Sequence, residues 1–93
     1  QQVYTRPPGA ASAIVADLRA LEDRGARQSA AVLVDDADDP QAVKAALAAA
    51  FDDPAVTDLS VYTIGDGAAL SGILITARRA TSGEQVTVVF LLD

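Results

Sequence analysis

A chain of 93 residues without histidine, cysteine, methionine or tryptophan has no near-neutral imidazole base, no thiolate nucleophile and no soft or imidazole metal ligand. Seven basic against thirteen acidic residues give a net charge of −6, which argues against nucleic acid and anionic membrane surfaces as partners, since both call for a basic face. No apolar run approaches the roughly 20 residues that span a bilayer, so membrane insertion is not expected.

The length suits a single domain over residues 1–93. Half the residues are hydrophobic, yet two tyrosines and two phenylalanines supply the only aromatic bulk, so the core is expected from Val, Ile, Leu and Ala. A domain of this size buries only somewhat more than about 60% of its unfolded surface, and a partner that covers more apolar area would help it. A start at Gln1-Gln2-Val3 without methionine reads as a fragment, a mature secreted product or a tag-cleaved chain, and leaves the compartment open.

Val3-Tyr4-Thr5 reads as a short edge strand stopped by Pro7-Pro8-Gly9. A helix is expected from about Ala10 to Arg24, with Ala11, Ile14, Leu18 and Leu21 at helical spacing. Gly25 suits the left-handed position past its last turn, and Arg24 and Arg27 suit its negative end. Ala30-Ala31-Val32-Leu33-Val34, a continuous apolar run between polar residues, reads as a central strand. Asp35-Asp36-Ala37-Asp38 follows as a loop, and Asp39-Pro40 starts a second helix with an aspartate cap and a first-turn proline. That helix presents Val43, Ala46, Leu47, Ala50 and Phe51 inward and stops at Asp52-Asp53-Pro54.

Beyond it the apolar period falls from 3.6 to 2. Val56 to Ile64 alternates, with Leu59 and Val61 on one face and Tyr62 and Ile64 on the other. Ile73 to Arg79 is a further strand, Thr81-Ser82-Gly83-Glu84 a hairpin turn and Gln85 to Leu92 the last strand. The expected class is α+β in the order (β)αβαβββ. It is a two-layer sandwich whose mixed sheet combines a right-handed β-α-β unit with an antiparallel meander and carries two helices on one face.

Two helices cover one side of a sheet. With Ile73, Ile75, Val86, Val88, Phe90 and Leu92 toward them, Tyr62, Ile64, Leu74, Val89 and Leu91 face the other way. Contiguous apolar patches on small domains mark interaction surfaces, most simply a two-fold homodimer. The competing reading is a strand assignment off by one residue, or an N-terminal segment folded over this face.

Three groupings bear on chemistry. Asp35, Asp36, Asp38 and Asp39 cluster at the end of the expected central strand, where carboxylates can hold Mg²⁺ or Ca²⁺ and Asp35 and Asp36 are the candidate metal pair. The calcium-loop pattern fails, because Pro40 and Ala46 stand where an EF-hand counted from Asp35 needs glycine and glutamate. The plainer reading is a solvated loop in which Asp39 caps the helix. Gly65-Asp66-Gly67-Ala68-Ala69-Leu70-Ser71-Gly72 is glycine-rich enough to bring a ligand against backbone amides. Gly65, Asp66, Gly67 and Ser71 are the candidate ligand residues there. The segment lacks the ending of a P-loop and reads equally as a long hairpin connection. Ser60 and Ser71 have no histidine to activate them, and Lys44, expected on the exposed side of its helix, is the only lysine.

Ala31-Val32-Leu33-Val34-Asp35-Asp36 followed by a helix resembles the opening of a response-regulator receiver domain. The resemblance implies Asp35 and Asp36 as a Mg²⁺ pair and Asp93, after Val89-Phe90-Leu91-Leu92, as phosphoacceptor. It covers a handful of residues, and the chain departs from the family where residues 73–79 read as a strand in place of a helix.

The expected function is therefore a non-catalytic protein-interaction domain, for self-association or as an adaptor, homodimeric through Tyr62, Ile64, Leu74, Val89 and Leu91. The partner is a second copy or another protein, and no cofactor is expected. The alternative is a Mg²⁺-dependent phosphotransfer or small-ligand sensor element using Asp35 and Asp36 or the Gly65–Gly72 loop.

Overall fold

The computed structural model describes residues 1–7, 13–65 and 71–92. Strand β1 (Gln2–Thr5) is followed by helices α1 (Ile14–Arg19), α2 (Arg24–Asp35) and α3 (Pro40–Phe51), then by strands β2 (Val56–Gly65), β3 (Ser71–Arg79) and β4 (Gln85–Leu92). The chain is a small α+β domain whose described residues form three helices and one open antiparallel sheet of four strands, ordered β1-β2-β3-β4.

The expected central strand at Ala30–Val34 is instead the second half of α2. Asp23 caps that helix, its carboxylate accepting the Ala26 amide at 2.9 Å. Ala26, Ser29, Ala30 and Val34 are buried at intervals of three and four residues, the helical period. A short apolar run is compatible with a buried strand or a buried helix, and here the upstream cap and period decide for the helix. Gly25 consequently lies in the first turn of α2, not past the end of α1, and α1 stops earlier, at Ala20. Ala10 and Ala11, expected in the first helix, lie outside the described residues.

With no strand at 30–34, the described residues form no parallel β-α-β unit, and every strand pairing among them is antiparallel. β1 pairs antiparallel with β2, setting Gln2 opposite Tyr62 and Thr5 opposite Ser60, and it reaches that neighbour across all three helices. β2, β3 and β4 form the expected meander. The β3–β4 turn holds Gly83 at a φ of +72°, the left-handed region that favours glycine, with its amide on the Arg79 carbonyl at 2.7 Å.

α3 starts as expected, with Pro40 in its first turn and the Ala42 amide on the Asp39 carboxylate at 3.1 Å. It buries Leu47 and Phe51, with Val43 and Ala50 half-buried, whereas Ala46 is exposed and Lys44 half-buried. Helix and sheet residues close one core: Ile14, Leu18, Leu21, Ala26, Ala30, Val34, Leu47 and Phe51 meet Leu59, Val61, Ile73, Ile75 and Ala77. Val86, Val88 and Phe90 pack on it from β4, and the side chain of Leu92, expected there too, is outside the described set.

Candidate functional site

Alternation along the strands separates the sheet into two sides. Leu59, Val61, Ile73, Ile75, Ala77, Val86, Val88 and Phe90 join the helix-covered core, and none of Tyr62, Ile64, Leu74, Val89 and Leu91 does. The register aligns these five in two adjacent cross-strand rows. Tyr62 lies opposite Leu74, and Leu74 opposite Val89. Ile64 lies opposite Gly72, and Gly72 opposite Leu91. Val89 and Leu91 are 54% and 51% exposed, while Tyr62, Ile64 and Leu74 are half-buried.

Gly72 shapes this patch. A Cβ there would come within 2.1 Å of the Phe90 carbonyl oxygen and 3.1 Å of Leu91 Cδ2, so only a glycine lets β4 approach and lets the Leu91 side chain lie across β3. Further along the same side the rows turn polar. Ser60, Thr76 and Thr87 align, Gln85 Nε2 donates to Thr76 Oγ1 at 2.8 Å, and the exposed Arg78 ends the ladder. The apolar half of the side carries no ionised side chain among the described residues.

The other sequence candidates are placed differently. Asp35 and Asp36 end a helix, not a strand. Asp35 accepts from Arg19 Nη1 at 3.0 Å and Nη2 at 2.8 Å, and these hydrogen bonds hold its carboxyl below the ordinary range. Asp36 is the C-terminal cap residue of α2. Among the described residues no three or more acidic side chains gather around a metal-sized space. The strand on which the receiver-domain resemblance rested is absent, and Asp93 lies outside the described residues. Gly65 ends β2 at a φ of +96° and Ser71 begins β3, while Asp66 and Gly67 lie outside the described residues.

Two features are not foreshadowed in the sequence. Arg6, just after β1, sends its guanidinium to Asp17 of α1 at 2.9 Å, to the Phe51 carbonyl at 2.8 Å and to Asp52 at 3.2 Å. Asp52 in turn accepts the Ile14 amide at 2.8 Å and so caps α1, whose own cap residue Ala13 has no suitable side chain. Burial, reinforced by the neighbouring Asp17 carboxylate, pushes the Tyr4 phenol above its ordinary value. The partners lie 11 and 46 residues from Arg6, and no local pattern announces such a cluster. The second feature is a cleft of about 220 Å³ between α1 and α2, floored by Val15, Leu18, Ala30 and Val34 and flanked by Arg19 and Arg27. Arg19 is committed to Asp35, and Arg27 donates to the Leu21 carbonyl at 2.8 Å.

No family model, curated protein or solved structure matches the chain. None of the described helices is long and apolar enough to cross a membrane.

Proposed function

We propose that this chain is a non-catalytic interaction domain that associates with a second copy of itself through the side of the sheet bearing Tyr62, Ile64, Leu74, Val89 and Leu91. The observation that carries the reading is the pair of half-exposed aliphatics, Val89 and Leu91, in register with Leu74, Tyr62 and Ile64 on the side that the helices leave alone. Large contiguous apolar patches are uncommon on small soluble domains unless something covers them. A two-fold contact matches such a patch with itself. That the described residues put no charged side chain on its apolar half matters because two copies at −6 repel wherever acidic residues meet.

The phosphotransfer alternative has no comparable support, because the Arg19 guanidinium already occupies both oxygens of Asp35. Leu74→Asp and Leu91→Asp test the proposed surface. The expected outcome is a chain that keeps its cooperative melt and its circular dichroism but sediments as a smaller species than the parent chain at the same concentration. A variant that loses the melt would instead make these positions part of the monomer's core.

A further inference from the structure

The free edge of β4 is a second surface, distinct from the face of the sheet. Among the described residues β4 pairs only with β3, in an unbroken register from Ser71 opposite Leu92 to Arg78 opposite Gln85. The Arg79 amide donates to the Glu84 carbonyl at 2.8 Å, which makes Arg79 and Glu84 a hydrogen-bonded pair. In an antiparallel ladder such pairs alternate with unbonded ones. Val86, Val88 and Phe90 therefore spend their backbone groups on β3, and the N–H and C=O groups of Gln85, Thr87, Val89 and Leu91 point to the open edge.

Proteins usually blunt such an edge with charge, proline, a bulge or a very short strand. The opposite edge has these devices: β1 has four residues, its register shifts between Gln2 and Tyr4, and Pro7 follows it closely. β4 has eight residues with no charge, no proline and no register shift. In a chain of net charge −6, this is an edge at which two copies approach without opposing carboxylates along the strand.

We infer that β4 pairs antiparallel with β4 of a second copy across a two-fold axis, making one sheet continuous through both. Any register that sets an odd-numbered residue of β4 opposite an odd-numbered one satisfies the edge-pointing groups and keeps the open-side residues Thr87, Val89 and Leu91 on one side in both copies. The axis then stands perpendicular to the sheet, so the two apolar patches lie side by side and neither covers the other. The inference rests on the proposed function only for the identity of the partner, a second copy, and uses a different surface.

Amide hydrogen exchange by NMR, read beside sedimentation over the same range of concentration, tests it. The expected result is an assembly in which the amides of Thr87, Val89 and Leu91 exchange more slowly as association proceeds, and a Thr87→Pro variant that keeps Val86, Val88 and Phe90 protected, loses the added protection at Val89 and Leu91 and sediments as a smaller species than the parent chain. The proline removes no backbone bond to β3, because the Thr87 amide points outward; it gives up only the 3.5 Å contact between the Thr87 and Thr76 hydroxyls. A dimer whose Thr87, Val89 and Leu91 amides exchange as they do in dilute monomer overturns the edge pairing and leaves the open-side contact standing. A chain that stays monomeric throughout overturns both. Should the proline variant fail to fold, the exchange pattern of the parent chain decides alone.

Discussion

Arg6 and Arg19 each hold a carboxylate, and burial separates what the two pairs do. Arg6 and Asp17 are 11% and 9% exposed, and the guanidinium also satisfies the last carbonyl of α3. Removing it strands a buried carboxylate and an unpartnered helix end, while Asp52 is left to cap α1 alone. Arg6→Ala is expected to lower the unfolding free energy by about 3 kcal/mol, at the lower end of the range for breaking a buried pair. Arg19 and Asp35 are 49% and 43% exposed, where solvent screens the attraction and ordering the long side chain offsets it. Arg19→Ala is expected to cost much less than Arg6→Ala despite its two-pronged geometry. Urea denaturation of the two variants side by side checks the contrast, and equal losses would contradict it.

The elements show where local pattern decides structure. The antiparallel strands β2, β3 and β4 were legible because alternation with period 2 is distinctive, and Leu59 and Val61 separate cleanly from Tyr62 and Ile64 along one strand. The Asp39-Pro40 start of α3 was legible because its cap and its proline agree. α2 was not, because Gly25 near its start reads as a terminator and the run from Ala30 to Val34 is too short for its period to show. The signal that distinguishes them was Asp23, three residues before Ala26 and in phase with Ser29, Ala30 and Val34. The antiparallel placement of β1 and the Arg6 cluster depend on contacts across the whole chain, which no local spacing encodes. The helical assignment carries its own test: Asp23→Ala removes the bond to the Ala26 amide and is expected to cost about 1 kcal/mol with a loss of helical ellipticity. A strand at 30–34 would leave Asp23 in a surface loop, and the substitution would be silent.

At the scale of the molecule, the acidic residues and the apolar sheet side are segregated. Asp17, Asp23, Asp35, Asp36, Asp39 and Asp52 sit on helices or at their ends, where all but Asp36 accept backbone amides or arginine and fix the helices. Among the described residues the apolar half of the sheet side carries no ionised side chain, so a domain that repels its copies elsewhere presents an apolar surface to them. That account turns on association, and sedimentation velocity of the unmodified chain over a wide concentration range is the direct measure of it. The expected result is a monomer in dilute solution whose mass rises reversibly, to twice the monomer mass or beyond, as concentration increases. A single species of monomer mass up to high micromolar concentration would contradict it.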